Sequence, residues 1–393
     1  MKILYVHHNS GKGGSSNSLR MMLEEMVKLA DVEILITCPP GPAYDRFNKS
    51  GFNLISSPTP PVIQTTSGVR FQWLTLMINL IKKRHYNFYL DVFRSFQPDI
   101  IHFNEIGLSS YVKLAKKNGF KTVIHTRIVP SSKYPLINRY VINKINRFTD
   151  HVVAIDASAL NGLTGLKTNR SIVYNPFHIT DELKEYHPDH LYKDPMHVTF
   201  LSNFLVHKGV KDVVRTAILL KDINSIKFRM AGANVRGKEF YKSLFGKILD
   251  AMGIYPDLEK WVKNKIKKHH LANIELLGDV KNIDPLLRST HVLVMPNHMN
   301  EPSRSVFEAG VYGVPSVISM KDKVEDLVED GFNGFIVSEK SPQEIAEKIL
   351  ELEKNRDQLK KMGQNARNRF LKLNDSKKSA EQMIDVYKSV LNS

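Results

Sequence analysis

NEPSRSVFEAGVYGVPSVIS, residues 300–319, decides how this chain is read. It follows the apolar run from His291 to Met295, which has the length and β-branching of a buried strand. It then opens a helix that leads into Gly313-Val-Pro, and Pro315 to Ser319 reads as the next strand. Strand, helix and strand in so short a space make the crossover of a parallel sheet, whose carboxyl ends are where open α/β sheets bind ligands. Two carboxylates, Glu301 and Glu308, bracket the helix start. Amides of a helix start can hold phosphate oxygens, as can the hydroxyls of Ser303 and Ser305 and the guanidinium of Arg304, while carboxylates accept hydrogen bonds from a ligand's hydroxyls. Ser305 and Glu308 also stand at capping-box spacing, so the same carboxylate could serve only to cap its helix.

Working outward, the alternation of short β-branched runs and amphipathic stretches continues in both directions. Strands are expected at 197–202, 226–231, 273–277, 291–295, 315–319 and 334–337, and, earlier, at 2–6, 32–37, 53–56, 99–103, 121–125, 151–155 and 171–174. Leu19, Met22, Leu23, Met26, Leu29 and Ala30 recur at helical spacing and mark the core face of the first helix. Ser341-Pro-Gln-Glu opens a later helix with the spacing of a capping box and proline at its first position. The polar, proline-punctuated stretch from Asn175 to Pro195 reads as a linker. The expected organisation is therefore an α/β chain with a first domain over 1–180, a second over 181–374, and a final helix over 375–393 that packs back toward the first.

Three further positions invite chemistry. Gly11-Lys-Gly-Gly-Ser-Ser joins the first strand to the first helix, where Gly13 and Gly14 let backbone amides approach an anion. The same loop read plainly is a tight turn. A dinucleotide fingerprint would need glycine at Ser16 and an acidic residue where Thr37 and Cys38 stand, so a nicotinamide enzyme is disfavoured. Lys208, in FLSNFLVHKG, sits just before a helix and can neutralise a diphosphate, or can be an ordinary surface lysine. His125 ends a strand and can bond a hydroxyl, or simply pack.

Taken together and in order, VHKG, the AGA after a strand, LLGDV, EPSRSVFEAGVYGVPSVIS and LVEDGFNGFIV resemble the retaining glycosyltransferases of family 4, with likeness over nearly the whole chain. The resemblance implies the GT-B fold, two Rossmann-like domains facing across a cleft. It implies transfer of a sugar from a nucleotide-diphosphate sugar to a glycan or lipid-linked acceptor, in cell-surface polysaccharide biosynthesis, without a covalent nucleophile. By the same resemblance His125 and Glu301 contact the transferred sugar, Lys208 the diphosphate, Glu308 the ribose, and Gly13 and Gly14 line the diphosphate and acceptor. The sequence departs from the family twice. Asn203 stands where an arginine helps to clamp the diphosphate, so the clamp is weakened or is completed elsewhere, for example by Arg304. Glu301 and Glu308 have six residues between them rather than seven, placing Asn300 in the strict register. With no Asp-x-Asp sequence, no cofactor and no metal are expected. An inactive relative serving as a partner subunit, or a nucleotide-sugar epimerase, would share most of these landmarks.

Composition narrows the setting. Hydrophobic residues make 42% and charged residues 24% of the 393, the balance of an ordinary globular protein. The single cysteine, Cys38, cannot form an internal disulfide, and no stretch approaches the apolar length of a membrane span. A cytoplasmic protein, peripheral on the inner face of the membrane, is the expectation. The net charge of +16 calls for an anionic partner. Residues 71–90, FQWLTLMINLIKKRHYNFYL, join an aromatic apolar stretch to a basic cluster and suit an anionic membrane surface. A nucleic-acid partner would want interleaved aromatic and basic residues or a recognition helix, and neither is present.

Overall fold

A computed structural model describes the chain except residues 12, 64, 66–82, 132–133, 299–302 and 321–325. The chain divides into two units, Met1–Ile179 with Leu373–Ser393, and Thr180–Lys372.

The first unit is built on seven parallel strands: β1 (Lys2–Val6), β2 (Glu33–Cys38), β3 (Asn53–Ser56), β4 (Ile100–Phe103), β5 (Lys121–Thr126), β6 (His151–Ala154) and β7 (Asn169–Ile172), in the order β3-β2-β1-β4-β5-β6-β7. A strand alternates its side chains between faces, and here both faces are buried. Ile3 and Tyr5 of β1 point into one apolar layer with Leu19, Leu23 and Met26 of the helix Gly14–Leu29. Leu4 and Val6 point into the other, with Phe93, Ile101 and Val112. This is why β1 reads as an unbroken apolar run rather than an alternating one. The first layer is completed from the far end of the sequence, because Ala380, Met383 and Tyr387 of the helix Ser376–Leu391 belong to it.

The second unit repeats the plan with six parallel strands: β8 (Met196–Leu201), β9 (Ile226–Ala231), β10 (Ile274–Gly278), β11 (Val292–Met295), β12 (Ser316–Ser319) and β13 (Gly334–Val337), in the order β10-β9-β8-β11-β12-β13. Both sheets thus reverse direction at one place, between β1 and β4 and between β8 and β11. Those switch points leave crevices at the carboxyl ends of the strands.

Several expectations shift on inspection. The strand expected at 171–174 lies two residues earlier, at β7. Leu29 is exposed because its helix stops there. Asn175 to Pro195 is no loose linker: Phe177 donates its N–H to the Asn374 carbonyl in the first unit, and Leu183 and Leu191 are buried beyond Ile179. Pro342 does open its helix, but Glu344 accepts from the Ser338 N–H and Ser341 makes no side-chain cap, so the capping box is not formed. Among the described residues no helix is long and apolar enough to cross a membrane. Most of the stretch 71–90 lies outside the described residues.

Candidate functional site

In the second unit the switch point is built from the ends of β8 and β11. The turn Val206–Lys208 ends on Gly209 at φ +74°, and a Cβ there would stand 2.0 Å from the Pro296 carbonyl oxygen. Only glycine accepts that backbone and that approach. The His298 N–H donates to the His207 carbonyl at 2.7 Å, and His298 Nε2 lies 2.5 Å from the buried Asp212 carboxylate. Burial, with Lys208 adding to it, pushes the His207 imidazole down to about 4, so it is neutral at physiological pH. These contacts seat the turn on the end of β11.

They also bring Lys208 Nζ within 3.3 Å of Ser303 Oγ, across 95 residues of sequence. Ser303 occupies the N-cap position of the helix Arg304–Val311, yet its hydroxyl meets Lys208 and makes no cap bond. Among the described residues no side-chain cap closes this helix start, which is the arrangement that receives anions. Inside the helix, Arg304 Nε donates to Glu308 Oε1 at 2.5 Å, with both side chains largely buried. Burial raises the Glu308 carboxyl above the usual carboxylate range, and Arg304 pulls it partly back.

The helix boundary settles the capping alternative. Ser305 and Glu308 both lie within the helix, so Glu308 is no capping residue, and Ser305 Oγ is buried without a hydrogen-bond partner among the described residues. Arg304 bonds Glu308 through Nε, and Asn203 lies exposed just beyond β8. Glu301 lies outside the described residues.

The first unit carries different chemistry at its own switch point. Asn9 Oδ1 accepts from the Gly11 N–H at 2.7 Å and shapes the loop that ends at Gly13, the N-cap of the helix beginning at Gly14. That helix start also lacks a side-chain cap among the described residues. His125 sits near the end of β5, only 2% exposed, with Nδ1 3.4 Å from Arg127 and Nε2 without a partner among the described residues. Arg127 Nε donates to Asn104 Oδ1 at 2.8 Å, and an Arg127 terminal nitrogen donates to Asn175 Oδ1 at 3.0 Å. Asn104 Nδ2 meets His7 Nδ1 at 2.9 Å, joining β4's end to β1's across the switch point. Alongside, the Tyr387 hydroxyl lies 2.7 Å from both the Tyr5 hydroxyl and His102 Nδ1.

Burial first, and the Arg127 charge second, hold His102 and His125 far below the ordinary histidine value, and bring His8 to about 4. Burial likewise lowers His7, with His8 and Arg127 adding to it. Neutral imidazoles of this kind bond hydroxyls and do not act as cations, leaving Arg127 as the positive charge of the cluster. Sequence reading singled out His125 and missed His7, His102, Asn104, Arg127 and Tyr387. The signal that finds four of them is position: each lies at or just past the carboxyl end of β1, β4 or β5.

Comparison with known proteins follows the same division. Residues 184–369 match the family described as Glycosyl transferases group 1, a span that takes up nearly all of the second unit. The whole fold matches the crystal structure of HepE from Anabaena in complex with UDP, with a TM-score of 0.78 at 17% identity, covering 99% of this chain and all of that one. The fold is that of GT-B glycosyltransferases. An uncharacterised glycosyltransferase of Methanocaldococcus jannaschii is 23% identical over 357 residues, 89% of this chain and 88% of that protein. A poly(ribitol-phosphate) α-N-acetylglucosaminyltransferase of Staphylococcus aureus is 21% identical over 271 residues, covering 68% of this chain and 49% of that protein. These likenesses support the GT-B glycosyltransferase superfamily for this chain, at a level that does not single out family 4.

Proposed function

We propose that the chain transfers a hexosyl group from a nucleotide-diphosphate sugar to a glycan or lipid-linked acceptor, with retention of anomeric configuration and without a metal ion. Its setting is cell-surface polysaccharide biosynthesis, at the anionic cytoplasmic face of a membrane. The observation that carries this reading is the contact of Lys208 with Ser303 at an uncapped helix start, with Glu308 one turn further along.

As the bond from the sugar to the diphosphate breaks, the electron pair stays on the diphosphate oxygen and negative charge grows there. The Lys208 ammonium and the helix amides, fixed beforehand, stabilise that charge more than they stabilise the bound donor. The acceptor hydroxyl adds to the same face of the sugar, and its proton passes to the leaving diphosphate. Glu308 accepts from ribose hydroxyls. Glu301 and the neutral His125 bond the sugar's hydroxyls. The HepE structures with UDP and with UDP-glucose make uridine the first base to try. Asn203, exposed where the resemblance wants arginine, favours a second reading in which the chain is an inactive partner subunit.

The test is a thermal-shift series against UDP, GDP, ADP, dTDP and CMP with the native protein, Lys208→Ala and Glu308→Ala. A ligand at a hundred times its Kd adds about 2.7 kcal/mol of stability. One nucleoside diphosphate should stabilise the native chain and neither variant. If none does, the donor site fails and the inactive-partner reading replaces it, while measured hydrolysis or transfer of a nucleotide sugar excludes that second reading.

A further inference from the structure

The connection from β9 to β10 holds a surface that the transfer reaction does not use. Fourteen large hydrophobic side chains are exposed among the described residues, and six of them lie between Val235 and Tyr255. The helix Leu244–Ala251 puts Leu244 and Ile248 one turn apart, with Met252 a turn beyond and Phe245 alongside. Their exposures are 77%, 48%, 61% and 66%.

This is a formed element. The Ser243 hydroxyl accepts from the Gly246 N–H and caps the helix. Gly246 is buried against the short helix Lys238–Lys242, where a Cβ would stand 1.8 Å from the Phe240 carbonyl oxygen. The Arg236 guanidinium lies 4.5 Å from the Phe240 ring and 4.0 Å from the Tyr255 ring. Gly246 marks the inner side of the helix, and Phe245 meets the Phe240 ring edge-on at 6.5 Å while staying 66% exposed, so the apolar face is turned outward. Contiguous exposed apolar area of this kind marks a site of contact.

Charge identifies the partner. Residues 235–270 contain nine Lys or Arg and four Asp or Glu, a net +5 within the chain's +16. Lys238, Lys242 and Lys247 are exposed on these two short helices, Lys242 pairing with the exposed Glu239, and Lys260, Lys263, Lys267 and Lys268 are exposed on the helix Leu258–His269 that follows. A second copy of this chain would bring the same positive charge against itself, which costs association. A bilayer containing anionic lipid offers the complement of both features: acyl chains for the leucine, phenylalanine, isoleucine and methionine, and phosphates for the lysines.

We propose that the helix Leu244–Ala251, through Leu244, Phe245, Ile248 and Met252, docks the protein on an anionic lipid bilayer. This deepens the membrane part of the proposed function and rests on it. It places a point of contact in the second unit, apart from residues 71–90.

The test is co-sedimentation of the full chain with vesicles of phosphatidylcholine, alone and mixed with phosphatidylglycerol. The native protein should pellet with the mixed vesicles only, and less as salt rises. The triple variant Leu244→Ser, Phe245→Ser, Ile248→Ser removes exposed side chains and one ring contact, Phe245 on Phe240, so its melting temperature should change little, while its partitioning should drop by about a hundredfold. Lys238→Gln with Lys242→Gln and Lys247→Gln should weaken binding to mixed vesicles without touching the apolar face. Native protein that pellets together with an equally bound triple variant overturns this surface and leaves the membrane reading standing. Native protein that pellets with neither vesicle overturns both. Equal binding to phosphatidylcholine alone removes the anionic partner. A dimer in light scattering that the triple variant dissolves assigns the face to a second copy.

Discussion

The two units share one strand order and differ in what stands at its reversal. In the second, Lys208 meets Ser303, Arg304 pairs with Glu308, and His298 bonds the Asp212 carboxylate. In the first, the same place holds His7, Asn104, His125 and His102, with Arg127 as their common cation. The fold supplies a crevice and nothing more; whether it suits a doubly charged diphosphate or a set of hydroxyls depends on a few side chains at the strand ends. Burial acts alike in both: it raises the Glu308 carboxyl against the pull of Arg304 and lowers the first unit's histidines, favouring the neutral form each time.

The contrast can be broken most sharply at Lys208. Lys208→Ala should lower the transfer rate by about a hundredfold to a thousandfold, measured as donor consumption at saturating acceptor. A variant retaining more than about a tenth of the native rate would put the developing charge elsewhere. Gly209→Ala should cost at least about 2 kcal/mol in urea-unfolding stability, since a left-handed backbone and a carbonyl in the way both oppose the methyl. An unchanged midpoint would mean that the turn is not seated on Pro296.

The uncharged network of the first unit should yield a smaller effect. Tyr387→Phe leaves the Tyr5 hydroxyl and His102 Nδ1 without their shared partner and should cost about 1–3 kcal/mol, read by chemical denaturation. The gentlest test is acid. Histidines with folded pKa values below the unfolded one take up more protons once unfolded, so stability falls as pH drops below about 6.5. Each contributes up to about 1.4 kcal/mol per pH unit. His125→Asn cannot take up that proton, and its melting temperature should fall less between pH 7 and pH 5 than the native protein's.

Much of this was legible in the sequence, for physical reasons that also mark the limit. Strands buried on both faces announce themselves as apolar runs, and strand ends missed by only one or two residues in most cases. VHKG and the segment after β11 were readable because glycine is demanded where a Cβ would stand 2.0 Å from a neighbouring carbonyl oxygen. Side-chain partners were less accessible. Ser305 with Glu308 and Ser341 with Glu344 fit a capping pattern by spacing alone, but where a helix starts depends on the loop before it. The Arg304–Glu308 pair is an i,i+4 relation visible in the sequence, and the capping reading hid it. Tyr387 could not be linked to His102 at all, because 285 residues separate them and only the folded sheet brings them together.

That long link bears on the order in which the protein is made. Translation delivers β1 to β7 before the second unit, yet one of the two apolar layers around them lacks Ala380, Met383, Ile384 and Tyr387 until the helix Ser376–Leu391 leaves the ribosome. The second unit, Thr180–Lys372, is contiguous and can close on itself before then. The half synthesised first is the half completed last, so during every round of synthesis its open layer stands exposed to chaperones for as long as the other half takes to emerge.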